Sequence, residues 1–315
     1  VSVMYVNNEV GAVMPVEEIA ALVHEKSPKA LFHIDAIQAF GKYRIYPKKM
    51  GIDLLSVSGH KIHGPKGVGF LYINEKAKIQ PQILGGGQQG GMRSGTENVP
   101  GIAGLGTAAV EIYKNLEENV ENMYRLKEYI AQGLEKIGDI RINGMDLREG
   151  APQILSISVM GVRSEVLLHS LEERGIYVSA GSACSSHKRK PSATLAAMGM
   201  SKDQIESTVR LSFCEENTIE EADYFLQVMG ELVGYHEILV LATDGLRIVG
   251  EAVHVLVVVS HGQHIPFLPE VAPIEVYVKI SKLIGHIGNA CLVTEIFHRV
   301  AGTADLHLLI VTHIH

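Results

Sequence analysis

The chain predicts an α/β fold: a mostly parallel sheet, then a smaller α/β unit. Three observations carry this. Short apolar runs alternate with helical stretches through the first hundred residues. The ends of the first, second and third runs carry Asn8, Asp35 and Lys61, and ligands gather at the carboxyl ends of parallel strands. The strand–helix–strand rhythm then resumes over residues 154–179, beyond a long amphipathic stretch.

Taken in order, residues 1–6 read as a strand, and its abrupt opening at Val1 predicts a piece of a longer chain. Asn7-Asn8-Glu9-Val10-Gly11 reads as a turn. Pro15 sits where a first helical residue belongs, and Ile19, Leu22 and Val23 share a face until Pro28 ends the helix. A second strand covers 30–34 and stops at Asp35. A third covers 52–57 and runs into Ser58-Gly59-His60-Lys61-Ile62-His63-Gly64-Pro65. If that segment is extended, Ser58 and His60 point one way and Lys61 the other. Two polar donors could then hold an anion while the amine meets a carbonyl as a Schiff base. A solvated lysine on a surface turn is the alternative.

Residues 68–73 predict a further strand. Gly85-Gly86-Gly87-Gln88-Gln89-Gly90-Gly91-Met92-Arg93-Ser94-Gly95-Thr96 follows, with free backbone N–H groups plus Arg93 and Thr96 for an anion. A linker fits it equally, and no Gly-Lys-Ser/Thr closes it as a Walker loop. Ile112, Leu116, Val120, Met123, Leu126, Ile130, Leu134 and Ile137 predict one long helix ending at Gly138. Strands over 154–159 and 176–179 flank a helix over 164–174. Thr218 and Glu221 form a capping box opening a last helix. Residues 236–315 hold nine of the fifteen histidines but 11 charged residues in 80, against 52 in the preceding 235. Their apolar residues show no sustained period. A segment foreign to the domain is favoured there over a metal-binding tail, because the histidines lack a paired ligand spacing.

Composition excludes some classes. Net charge is -7, which makes no electrostatic case for nucleic acid. No charged-then-apolar leader opens the chain, and no apolar run nears the ~18 residues of a membrane helix, so a soluble cytoplasmic protein is expected. Cys184, Cys214 and Cys291 are far apart, which argues for a reducing compartment. Cys184 stands out: it lies in Gly181-Ser182-Ala183-Cys184-Ser185-Ser186, ahead of His187-Lys188-Arg189-Lys190, and those cations favour thiolate. A buried structural cysteine is the alternative. Arg210, in an apolar strand over 209–213, should meet a carboxylate, either in a structural ion pair or on a substrate.

Five motifs occur in order: Asn7-Asn8-Glu9-Val10-Gly11, His33-Ile34-Asp35-Ala36-Ile37-Gln38, Ser58-Gly59-His60-Lys61, the glycine loop to Thr96, and Gly181-Ser182-Ala183-Cys184. With them the chain, to about Tyr235, resembles a pyridoxal-phosphate-dependent cysteine desulfurase of the NifS/IscS type, the branch with the longer cysteine loop, within the class V aminotransferases. The resemblance implies a fold-type I large domain over 1–105, incomplete here, a small C-terminal domain over 106–235, and an unmatched tail over 236–315. It implies that Lys61 carries pyridoxal 5'-phosphate, with Asp35 on the ring nitrogen, Gln38 on the phenolic oxygen and Asn8 beside the ring and the substrate carboxylate. Ser58 and His60 would hold the phosphate, and Thr96 would reach that of a neighbouring subunit in a homodimer. Arg210 would clamp the carboxylate of L-cysteine. Lys61, His60 and Cys184 form the expected catalytic set, Cys184 taking the substrate sulfur as a persulfide.

The products would be alanine and sulfur for an acceptor, an iron–sulfur scaffold or a tRNA-thiolating enzyme, with no direct contact to nucleic acid or membrane and no metal. The family's chain begins upstream, and its first third carries a histidine that stacks on the cofactor ring. The alternatives are therefore a truncated, inactive chain of this family or a related lyase, such as one acting on selenocysteine.

Overall fold

The structure is a computed structural model that describes residues 1–180, 191–247, 255–260, 275–280 and 307–310. The chain divides into two compact units, Val1–Met229 and Gly230–His315.

The first unit opens with β1 (Ser2–Met4), β2 (His33–Asp35), β3 (Leu54–Ser58) and β4 (Gly69–Ile73), in that spatial order. The first three are parallel, as expected from their rhythm, and β4 runs antiparallel to β3. A parallel return needs a crossover of a dozen residues or more. Only the 3₁₀ turn Gly59–Ile62 and the short Gly-Pro segment separate β3 from β4, so the chain doubles back. In register, Met4 stands beside Asp35 and Asp35 beside Ser56, so the three strand ends form one edge.

Helix α1 (Val16–Lys26) crosses between β1 and β2, with Pro15 as its N-cap rather than its first helical residue. Val16 and Ala20 bury its inner face against Phe32, Ile34, Ile52, Leu55 and Val57. Phe32, Ile34 and Ile52 are fully buried, which removes roughly 1.5–3 kcal/mol worth of apolar surface each from water.

The single long helix expected over 112–137 is two helices. α2 (Val99–Lys114) and α3 (Leu116–Leu134) break at Asn115, whose backbone leaves the helical region at φ -123°, ψ 37°. The apolar period continues across the break because Ile112 and Leu116 are both buried, each on its own helix. Ile112 and Leu105 of α2 pack on Ile62, beneath the turn that carries Lys61.

A second sheet follows, all antiparallel, in the order β5 (Ile140–Asn143), β6 (Ile154–Val159), β8 (Thr208–Ser212), β7 (Ser179–Ala180). β6 is buried at every position, as a central strand should be. α4 (Ser164–Glu172), α5 (Ala193–Ala197) and α6 (Lys202–Glu206) connect these strands. α7 (Ile219–Arg247) starts at the expected capping box: Thr218 N donates to Glu221 Oε2 at 3.1 Å, and Glu221 N donates to Thr218 Oγ1 at 3.3 Å.

In the second unit, β10 (Glu275–Ile280) lies between β9 (Val255–Ser260), to which it is antiparallel, and β11 (His307–Ile310), to which it is parallel. Regular strands therefore occur where the apolar residues show no sustained period; the β-branched run at 257–259 favours β9. Among the described residues no helix is long and apolar enough to cross a membrane.

Candidate active site

Three turns on the common strand edge carry the polar residues. The turn after β1 is shaped by Asn7, whose Oδ1 accepts from Glu9 N at 2.9 Å and Val10 N at 3.0 Å. Gly11 closes it at φ +71°, where a side chain would also press on Ile154. This leaves Asn8 and Glu9 half-buried on the turn. After β2, the Asp35 carbonyl accepts from Tyr5 N at 2.9 Å, and Oδ1 accepts from Ile37 N at 3.0 Å. The carboxylate is thereby oriented on the edge rather than swinging in solvent. Gln38 sits in the next turn, its carbonyl taking Gln153 Nε2 at 2.7 Å.

After β3 the chain does not stay extended. Gly59–Ile62 winds into a 3₁₀ turn, so the alternation expected for Ser58, His60 and Lys61 is replaced by a tighter geometry. Ser58 and His60 still meet: Oγ and Nδ1 are 2.8 Å apart. Gly59 N donates to Val68 O at 2.8 Å and Gly64 N to Gly59 O at 3.0 Å, closing the turn on itself. Gly59 is tightly enclosed: a Cβ would fall 3.1 Å from both the Val68 carbonyl and a Leu105 methyl, so these neighbours would have to give way to a side chain. Ile62 is buried while His60 and Lys61 are exposed, so the turn is anchored from below and presents its amine outward.

Thr96 is exposed on the glycine loop. That loop holds itself together: Ser94 Oγ donates to Gly86 O at 2.6 Å, and Gly95 N to Gln88 Oε1 at 3.2 Å. No hydrogen bond joins Thr96 to the strand-edge residues among the described residues. Cys184 lies outside the described residues.

Arg210, half-buried on β8, reaches back to this edge. Nη1 donates to Asn8 O at 2.6 Å, Nη2 to Ser179 Oγ at 3.2 Å and Nε to Ser212 Oγ at 3.1 Å. The guanidinium thus bridges the Asn8 carbonyl and the hydroxyls of Ser179 and Ser212. Two other features escaped the sequence reading. His63 Nε2 lies 3.4 Å from Glu215 Oε1, joining the lysine turn to the segment after β8. Lys42 is buried beyond the Asp35 turn; burial pushes its ammonium pKa down, and the charges of Glu215 and Cys214 partly restore it. Nothing in the local sequence around Lys42 signals its burial.

Chemically, the edge offers a primary amine, an oriented carboxylate and a hydroxyl–imidazole pair. Such a set suits a ligand with an aldehyde, a protonated ring nitrogen and an oxyanion. The fold and this donor set define a class V aminotransferase: the aminotransferase class-V family model matches residues 1–225, and the chain belongs to that family, whose cofactor is pyridoxal phosphate. Within it, the chain is 42% identical over 234 residues to the cysteine desulfurase of a Nostoc strain, covering 74% of this chain and 58% of that protein. It is likewise 42% identical over 235 residues to the cysteine desulfurase IscS of Clostridium botulinum, covering 74% and 59%. A solved NifS-like protein superposes with a TM-score of 0.68 at 39% identity, over 74% of this chain and 60% of that one. The chain thus spans less than two thirds of the length of the relatives it matches.

Proposed function

We propose that the chain is the larger part of a pyridoxal-phosphate-dependent cysteine desulfurase that converts L-cysteine to L-alanine and leaves the sulfur on Cys184 as a persulfide. The observation that carries this reading is the shared strand edge, where the Lys61 turn and Asp35 stand beside an Asn8 turn joined to Arg210 at 2.6 Å. Relatives of this similarity bear the same activity in their names.

In this reading Lys61 would hold the cofactor's aldehyde carbon through its ε-amine. Asp35 would pair with the ring nitrogen, Gln38 with the phenolic oxygen, and Ser58 and His60 with the phosphate. Thr96 would serve the phosphate of the other subunit of a homodimer. The bound cofactor supplies an electron sink that weakens the bonds around the substrate's Cα. Arg210 and Asn8 would orient the substrate carboxylate. The thiolate of Cys184 would attack the substrate sulfur; an S–S bond forms, the C–S bond breaks, and the carbon is protonated to give alanine. The persulfide would pass to a cytoplasmic acceptor, an iron–sulfur scaffold or a tRNA-thiolating enzyme.

The test is the visible absorption of the chain with added pyridoxal phosphate, beside Lys61→Ala, followed by alanine and sulfide release from L-cysteine beside Cys184→Ser. A cofactor band that needs Lys61 and sulfide release that needs Cys184 are the expected results. A band independent of Lys61, or none at all, would overturn the reading for this chain.

A further inference from the structure

The ends of β2 and β3 opposite Asp35 and Lys61 border a cavity of about 590 Å³. Its wall is built by the loop ahead of β2, by Gly51 and Asp53 ahead of β3, by His24 near the end of α1 and by the turn after β4. Because β4 runs antiparallel to β3, the chain leaving it arrives at this end of the sheet. The floor is fixed by hydrogen bonds. Asp53 Oδ2 accepts from Phe32 N at 2.9 Å and lies 3.6 Å from His24 Nε2, which is itself 3.0 Å from Gly51 O. Asn74 N donates to Asp53 O at 2.8 Å, and Asn74 Oδ1 accepts from Lys76 N at 3.0 Å, so the turn after β4 is tied to the same floor.

Three exposed lysines, Lys29, Lys76 and Lys78, line this cavity. None of them forms an ion pair among the described residues, because the acidic groups of the same stretches are engaged elsewhere. Glu25 is held by Lys26 at 2.7 Å, and Glu75 by Lys48 at 2.8 Å. Lys76 feels Glu75 only at longer range. On a chain of net charge -7, three ammonium groups without a bonded carboxylate converge on one concavity and focus positive potential there. A flat lysine patch would suit an extended acidic partner. A concavity of this volume falls within the roughly 300–1,000 Å³ of small-molecule sites. Lysine ammonium groups, with three rotatable donors each, suit the oxygens of phosphate.

We infer that this cavity binds a small molecule carrying two or more phosphate-type oxyanions, held by Lys29, Lys76 and Lys78. The Asp53 carboxylate in the floor repels an anion, so the oxyanions sit at the lysine rim rather than against the sheet. The site lies at the opposite end of the strands from Lys61 and is independent of the desulfurase reading.

The experiment titrates pyrophosphate and, separately, orthophosphate into the full chain by calorimetry, after loading with pyridoxal phosphate and desalting. Pyrophosphate should bind one to one and about tenfold or more tighter than orthophosphate, since it reaches more than one lysine. Lys29→Gln, Lys76→Gln and Lys78→Gln should each weaken it about five- to tenfold, and the triple variant should abolish it. Lys114→Gln removes the same charge from an exposed pair with Glu111 outside the cavity and should leave binding unchanged. Asp53→Asn keeps an acceptor for Phe32 N but removes the opposing charge, and should tighten binding several-fold. A misfolded chain could not produce that gain. Equal affinities for the two anions, or binding indifferent to the three lysines, overturn the site. A loss in Lys114→Gln equal to that in the cavity variants overturns it as well, in favour of non-specific attraction. Displacement of pyrophosphate by polyglutamate at equal or lower concentration overturns the small-molecule assignment in favour of an acidic protein segment.

Discussion

Arg210 donates from Nη1 to the carbonyl oxygen of Asn8 across 2.6 Å, joining residues 202 apart in sequence. The bond brings a strand of the antiparallel sheet to the edge of the parallel one, so a cation from β8 faces the turn after β1. Its fork also engages Ser179 and Ser212, which fixes the plane of the guanidinium. Lysine keeps the charge but loses the fork. Arg210→Lys should therefore raise KM for L-cysteine about 10- to 100-fold, matching the loss of one or two charged hydrogen bonds. Steady-state kinetics on the cofactor-loaded variant checks this. An unchanged KM would remove Arg210 from substrate binding and leave it a structural tie.

Gly41 ends the turn that follows Asp35, at φ +79°. A Cβ there would stand 2.8 Å from Ile112 Cγ1 and 3.0 Å from Ile62 Cγ2, both rigid β-branched side chains in a packed cluster. Gly41→Ala combines a left-handed backbone with overpacking and should cost about 2–4 kcal/mol. Because Ile62 closes the 3₁₀ turn bearing Lys61, the variant should also load pyridoxal phosphate more weakly. Urea denaturation gives the first effect and a cofactor titration the second.

The sequence was most legible where function and local structure coincide. Asp35 is the last residue of β2 and Lys61 lies in the turn just past β3, two parallel strands that end on one edge. Residues 154–159 read as a strand with correct ends because every position is apolar or small and buried. Legibility failed where an outcome depends on what a segment meets. Asn115 breaks a helix inside an unbroken apolar period, because Ile112 and Leu116 are buried on separate helices. β5 is four residues long, with Arg141 and Ile142 exposed, and no periodic pattern marks it in the sequence. Ser58 to Lys61 was read as extended, whereas a hydrogen bond from Gly64 to Gly59 folds it tight. The hydrogen bonds from Ser192 and Thr194 to the Glu9 carboxylate join side chains 183 and 185 residues apart in sequence and leave no periodic trace.

Lys127 gives a prediction with a definite sign. Its ammonium is 3% exposed on α3 and donates to Leu147 O at 2.8 Å and Ala151 O at 2.9 Å. It thereby holds the segment whose Ala151 N donates to Gly11 O, at the base of the Asn8 turn. Burial pushes its pKa from 10.5 down to about 8, with Glu128 opposing weakly. Below pH 8 the lysine is charged in both folded and unfolded chains, and the full cost of the buried charge is present. Between pH 8 and 10.5 the unfolded chain binds more protons than the folded one, so stability rises with pH. From pH 7 to 9.5 the gain attributable to this group should be about 2 kcal/mol. The window closes near pH 10, where buried Tyr5 and half-buried Tyr43, whose pKa values are raised by desolvation, begin to act in the opposite direction. The measurement is urea unfolding across that range for wild type and Lys127→Met. The difference between the two chains should grow in favour of wild type as pH rises. Parallel pH profiles would mean that Lys127 keeps an ordinary pKa, and that the carbonyl cage at 147–151 is solvated rather than closed.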